Sequence, residues 1–282
     1  MIHAIGYREK TSPGNHTFVI DSHISQKDYN NHTMNLNEVK KLKTMTAVYE
    51  LLLKNKEEYS SFSVKLKKEL ETKKTIQELE ALHLEINRLL INYLSSLQMF
   101  VDYGEKHNKE HFGKDKMKEF QQNTHYFYDN HVSYRFMVLM RNYAVHYGFP
   151  LHKIIQSEKK NGVFSLKDTL LNFKGWKHVK GDLNRMPELI DLDPHVNISM
   201  LFIKNLYENY IYDMAPTIIK SVEYMSDMLK RFSGRLPIFV KFETYDDFKR
   251  GNFKVELIEL NTYIKAIEIL KSHPNITITK KQ

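Results

Sequence analysis

The sequence predicts a mainly α protein, a helical bundle with small β additions. Apolar residues recur at three- and four-residue steps over long windows, as one face of a helix requires. Strong turn chemistry is confined to a few places, near both ends and at one internal point. The resulting division is an N-terminal β extension over 1–34, a helical region over 35–232 with an inserted hairpin near 152–165, and a small α+β region over 233–282.

Ser12-Pro13-Gly14-Asn15 is turn chemistry, so short strands are predicted near Ile2–Arg8 and His16–Asp21, followed by a polar linker to Asn35. From Leu36 the period changes: Val39, Leu42, Met45, Tyr49 and Leu52 follow at helical steps, and a second charged helical stretch runs to about Lys74. The clearest helix carries Leu79, Leu82, Ile86, Leu89, Tyr93, Leu97 and Phe100 on one stripe and fades near Gly113. Helices are predicted over Asp115–Phe127 and Val132–Tyr147, the latter stopped by Gly148 and Pro150. Lys153–Gln156 and Val163–Phe164 flank Asn161-Gly162, a tight-turn pair, and predict a hairpin. Ser165 with Asp168 resembles a cap for a short helix through Asn172. A long helix covers Asn197–Phe232, with a kink expected at Pro216. Two strands around Arg250-Gly251-Asn252, a helix near Tyr263–Lys271 and a short final strand complete the chain.

The chain has 282 residues, 41% of them hydrophobic and 12% aromatic, enough to bury a sizeable core. It has no cysteine, which removes disulfides, thiolate metal sites and cysteine nucleophiles together. The start, Met1-Ile2-His3-Ala4-Ile5-Gly6-Tyr7, lacks a basic stretch followed by an apolar one, and a cytoplasmic location is expected. Leu89–Val101 is the most apolar segment. Interrupted by Asn92, Ser95, Ser96 and Gln98, it falls short of the roughly 20 residues a bilayer needs, so no membrane partner is expected. The formal charge of +8 suggests a polyanionic partner, most often nucleic acid.

Met140 to Gly148 reads MRNYAVHYG, placing Arg141, Asn142 and His146 in an Arg-Asn-x3-His arrangement at the end of an amphipathic helix. With 8 Arg and 14 His, a loose Arg-x4–6-His is expected about once by chance. Fixing Asn second and His sixth lowers that to roughly 0.03. The residue types suit proton transfer and phosphate binding. Histidine is the side chain whose charge changes near neutral pH, so a histidine at position 146 fits proton transfer. Arg141 presents a permanently charged planar fork for phosphate oxygens. Asn142, four residues before His146, fits orienting either the imidazole or the phosphate.

This arrangement resembles the active-site signature of the HEPN superfamily, helical-bundle domains with an Arg-x4–6-His motif. The resemblance covers about 36–150 and the long helix at 197–232. It implies a HEPN-like bundle and a metal-independent endoribonuclease, without cofactor, cutting single-stranded or looped RNA. The setting it implies is phage defence, abortive infection or a toxin–antitoxin system, with a cognate antitoxin or regulatory protein as a further partner. Arg141 and His146, five apart, point about 140° away from each other on an ideal helix. Either the helix loosens before His146 or two chains share the site. HEPN enzymes dimerise so that two motifs face each other, so a homodimer is implied. Some toxin members carry Tyr two places after the His, where this chain has Gly148, with Tyr147 directly following the His. The alternative is a non-catalytic HEPN protein that binds RNA or a regulatory partner.

Lys114, Lys116 and Lys118 are candidates to steer RNA toward the motif, and Tyr147 a candidate to contact it. Tyr126, Phe127, Tyr128, Tyr134 and Phe136 fit a core better than a stacking surface. His107-Asn108-Lys109-Glu110-His111 matches the order of an inverted zinc-peptidase motif, but its charged surroundings read as a solvated helix end. Glycines in phosphate-loop or dinucleotide order are absent.

Overall fold

The computed structural model describes residues 2–12, 15–157 and 161–279. In order the elements are β1 (Ile2–Ser12), β2 (Asn15–Ile24), α1 (Gln26–Glu69), α2 (Ile76–Phe112), α3 (Lys114–Asn130) and α4 (Val132–His146). Next come β3 (Lys153–Gln156), β4 (Asn161–Leu166), α5 (Lys167–Leu171), a 3-10 turn (Lys174–Trp176), α6 (Val179–Arg185) and β5 (Leu189–Ile190). The last are α7 (Asp193–Arg231), β6 (Leu236–Phe242), α8 (Tyr245–Lys249), β7 (Lys254–Leu257) and α9 (Leu260–Ser272). The protein is thus mainly helical with small antiparallel sheets. No helix among the described residues is long and apolar enough to cross a membrane.

The chain divides into two compact units, 1–44 with 210–282, and 45–209. In the first, the strands form an antiparallel sheet in the order β2-β1-β6-β7. β1 joins the ends of the chain, pairing Ala4 with Val240 and Gly6 with Ile238. The N-terminal and C-terminal strands, which the sequence assigns to separate regions, therefore share one sheet. Alternation along them builds two apolar faces. Ala4, Ile238, Val240 and Phe242 pack with Phe248 of α8, while Ile5 and Phe239 pack with Met228 and Phe232.

In the second unit, α2 buries Ile86, Leu89, Tyr93, Leu97 and Phe100, as its stripe requires. Tyr93 hydrogen-bonds Ser199 at 2.7 Å, and Tyr49 stacks on Tyr207 at 3.9 Å. The Asp193 carboxylate accepts from Tyr59, Ser63 and Lys67, one successive face of α1, at 2.7–2.8 Å. Burial would raise the Asp193 carboxyl, but these bonds and the Lys67 charge outweigh it and hold it below the ordinary value.

Several local expectations are corrected. The polar linker before Asn35 is helical from Gln26, because the Ser25 hydroxyl and Asp28 carboxylate cap one another's backbone N–H groups. The two helical stretches up to Lys74 are one helix ending at Glu69. Asn161 and Gly162 pair with Gln156 and Ile155 inside β4 instead of forming the turn. The Asn161 side chain accepts from the Ser157 N–H at 2.8 Å, and 158–160 lie outside the described residues, as do Pro13 and Gly14 of the first predicted turn. Ser165 does not cap α5, since its hydroxyl donates to the Pro150 carbonyl at 2.6 Å. α7 begins at Asp193 and continues as helix through Pro216. Residues 274–279 form no strand, and 280–282 lie outside the described residues.

Candidate functional site

α4 delivers the motif. Tyr134, Phe136, Met137, Met140 and Tyr143 are buried, which fixes the rotation of the helix and leaves Arg141 and Asn142 half-buried. The helix does not loosen before His146. The N–H groups of Tyr147 and Gly148 both donate to the Tyr143 carbonyl, at 2.9 and 3.2 Å, closing the last turn beyond it. Arg141 and His146 therefore leave one helix about 140° apart.

Asn142 is drawn to the arginine, accepting from Arg141 Nη1 at 3.2 Å. Arg141 Nε is buried and has no acceptor among the described residues. Leaving such a donor unmade costs about 1–3 kcal/mol, more for a charged group, so an anion able to approach it would bind favourably. His146, by contrast, is exposed, between Val145 and Tyr147, which are 50% and 52% exposed. Phe149 follows at 48%. Three apolar side chains in five residues around one exposed imidazole form a patch that singly scattered surface residues do not explain.

The turn after the helix is held from below. Asn87 of α2, fully buried, accepts from the Leu151 N–H and donates to the Leu151 carbonyl, both at 3.0 Å. His83 Nε2 donates to that same carbonyl at 2.7 Å. His152 accepts the Leu166 N–H at Nδ1, so its neutral ring carries its proton on Nε2 and donates to the Tyr143 hydroxyl, 2.9 Å away. Burial, then the neighbouring His83, hold the His152 pKa below the ordinary imidazole value. Burial pushes the Tyr143 phenol up to about 12. Tyr143, His152 and Asn87 escaped the sequence reading because their roles depend on contacts with distant elements.

Tyr147 directly follows His146 and is 52% exposed, its ring 5.3 Å from Tyr143 and 5.7 Å from Phe173. The three lysines lie elsewhere. Phe120 of α3 covers Gly104 of α2, and Gln121 donates to Glu105, so α3 runs back along the C-terminal half of α2. α4 continues along the other half, ending beside Asn87. Gly104 and Asn87 are 17 positions apart on α2, about 25 Å of helix rise. Lys114, Lys116 and Lys118 precede Phe120 and lie farther still from the motif. Lys116 also pairs with Glu119 at 2.9 Å.

A different cationic stretch lies beside α4. Phe173 touches the rings of Tyr143 and Tyr147, His178 meets Tyr128 at 5.2 Å, and Asp182 binds Arg135 at 2.6 Å. Residues 173–182 thus follow α4 from its C-terminal end toward its start, with Lys174, Lys177 and Lys180 exposed. The signal was present in the sequence: between Asp168 and Asp182 there is no acidic residue.

His107–His111 is the end of α2, as expected, with Lys109 and Glu110 exposed, but it is not solvated throughout. His107 and Asn108 are buried and Tyr103 stacks on His107, although no group of three or more His, Asp or Glu among the described residues is placed to hold a metal. Tyr134 and Phe136 are core, as expected, whereas Tyr126 is 59% exposed. No protein-family model matches the chain, and no curated protein or solved structure matches it.

Proposed function

We propose that the protein is a metal-independent endoribonuclease of the HEPN kind, acting in the cytoplasm as a homodimer in antiviral defence or a toxin system. The observation that carries this reading is the buried Nε of Arg141, without an acceptor among the described residues, five positions before an exposed His146 on the same helix. A guanidinium with an unmet donor suits a phosphate, and an exposed imidazole suits proton transfer at its edge.

In the reaction, the ribose 2′-oxygen forms a bond to phosphorus as the bond from phosphorus to the 5′-oxygen breaks. One imidazole takes the 2′-hydroxyl proton, and a second returns a proton to the departing 5′-oxygen. The products are a 2′,3′-cyclic phosphate and a 5′-hydroxyl. Arg141 offsets the charge that builds on the phosphoryl oxygens. Because α4 holds Arg141 and His146 on different sides, the reading requires two copies to face each other. Val145 and Phe149, exposed on either side of His146 and Tyr147, give the second copy an apolar surface to cover.

The test is RNA incubated with the protein in excess chelator. Wild type cleaves it, and Arg141→Ala and His146→Ala each abolish cleavage while remaining folded. Cleavage that persists in both variants overturns the assignment. The bond between Asn142 and Arg141 favours a second reading, a non-catalytic HEPN module in which the pair serves only to bind RNA or a regulatory partner. Equal RNA affinity in wild type and His146→Ala, with no product, selects it.

A further inference from the structure

We propose that Lys174, Lys177 and Lys180 form a phosphate track for single-stranded RNA, leading along α4 to a base-stacking position on Tyr147. This inference rests on the ribonuclease reading and names how its substrate is held.

Direction comes first. Ring contacts of Phe173 with Tyr143 and Tyr147 fix one end of the segment at the motif, while His178 on Tyr128 and Asp182 on Arg135 fix the other near the start of α4. From Arg135 to Tyr147 the helix rises about 18 Å, so the lysines are strung along a line and not gathered at a point. A linear polyanion matches such a line better than a single phosphate does.

Charge comes second. Lys174, Lys177 and Lys180 are exposed, and the acid that closes their segment, Asp182, is buried between Arg135 and Arg185 and is thereby neutralised. Glu188 is engaged by Lys167. The strip therefore keeps its positive charge.

Third, the backbone holds Lys177 at φ +50° and ψ −129°, a conformation in which glycine is cheap and a lysine is not. Trp176 before it is buried, with its indole N–H donating to the Leu170 carbonyl at 2.6 Å, so the turn itself is anchored without the lysine. A residue kept at a strained position for its side chain predicts opposite effects on stability and binding when it is removed.

The aromatic end decides the class of partner. Tyr147 is half-exposed at the motif end of the strip and braced from behind by Phe173, whose ring folds over Gly175. Flat rings beside a row of cations recognise an unpaired base beside phosphates. An acidic peptide would use the cations alone.

The experiment is fluorescence anisotropy with a short 2′-O-methylated oligouridylate, which cannot be cleaved, titrated with the full chain over a range of salt. The triple variant K174A/K177A/K180A is expected to lose about tenfold or more in affinity and to flatten the log–log salt slope by about 2, near 0.7 for each contact. The control K114A/K116A/K118A is expected to bind like wild type. Lys177→Gly is expected to raise the urea midpoint while lowering affinity, and Tyr147→Ala to weaken binding without changing the salt slope. Equal losses in the two triple variants would reduce the effect to net charge and overturn the track. So would a Lys177→Gly protein with unchanged affinity, or tighter binding of polyglutamate than of RNA through the same lysines. If K174A/K177A/K180A binds normally while His146→Ala still abolishes cleavage, the track fails and the ribonuclease reading stands. If wild type neither binds nor cuts RNA, that reading fails with it.

Discussion

Asn87 offers the sharpest test of how the motif's helix is terminated. Its amide is fully buried: the oxygen accepts from the Leu151 N–H, and the nitrogen donates to the Leu151 carbonyl and to the His83 carbonyl one turn earlier. Replacing it with Leu keeps the volume and removes both bonds to Leu151. The two Leu151 groups then fare differently. Its carbonyl still receives His83 Nε2 at 2.7 Å, whereas its buried N–H has no other acceptor among the described residues. The cost is one orphaned buried donor, about 1–3 kcal/mol, with about 1 kcal/mol more for the bond that His83 only partly replaces. A total of about 2–4 kcal/mol should appear in urea unfolding as a lower midpoint at unchanged m. His83→Ala alone should cost about 1 kcal/mol, because Asn87 still serves the carbonyl. The double variant should exceed the sum by about 1–2 kcal/mol, since the carbonyl then loses both donors. An Asn87→Leu protein destabilised by less than 1 kcal/mol, or strictly additive effects, would refute the view that these side chains hold the turn.

Two further predictions concern other parts of the molecule. Burial lowers the His32 pKa from 6.5 to about 4, against the opposing pull of Glu256 and with smaller contributions from Lys241 and Lys40. The unfolded chain therefore binds the proton first, so this group's contribution is whole above pH 6.5 and is lost as pH falls toward 4, by up to about 3 kcal/mol. Unfolding measured between pH 7.5 and about 4 should show that loss in wild type, and His32→Leu should flatten it; an unchanged slope would refute the assignment. At Gly104, an added methyl group would sit 2.4 Å from the Phe120 ring, so Gly104→Ala should cost about 1–3 kcal/mol in spite of alanine's better helix propensity. Adding Phe120→Leu should recover part of that, and a neutral Gly104→Ala would show that α3 does not rest on α2 there.

The elements legible in the sequence are those whose signal is local and repeated. The stripe through Ile86, Leu89, Tyr93, Leu97 and Phe100 is buried because α2 is long enough for the helical period to outweigh individual polar residues. α6, with seven residues, offers too few turns for a period to register. Pairing of β1 with β6 joins residues more than two hundred positions apart, and no local pattern encodes it. Ser165 shows the same limit at the scale of one hydroxyl. Its spacing to Asp168 suits a cap, but the Pro150 carbonyl across the hairpin is the acceptor it reaches. Lys114, Lys116 and Lys118 looked close to the motif because the chain returns to it within some thirty positions. The break at His131 leaves α4 continuing down α2 instead of folding back on α3, and this carries the motif away from them.

The motif itself posed a choice that only the backbone resolves. Had the last turn of α4 unwound, Arg141 and His146 could have converged within one chain, and the sequence would have described a complete monomeric site. Tyr147 and Gly148 instead both donate to the Tyr143 carbonyl, while Asn87 and Ser165 fix the carbonyls and amides that follow. The turn that stops the helix is therefore over-determined, and unwinding it would leave buried polar groups unpaired at about 1–3 kcal/mol each. The proposed chemistry thus stands or falls with self-association. A protein that cleaves RNA with first-order dependence on its own concentration, far below any detectable dimer, would break the link between this helix end and the reaction.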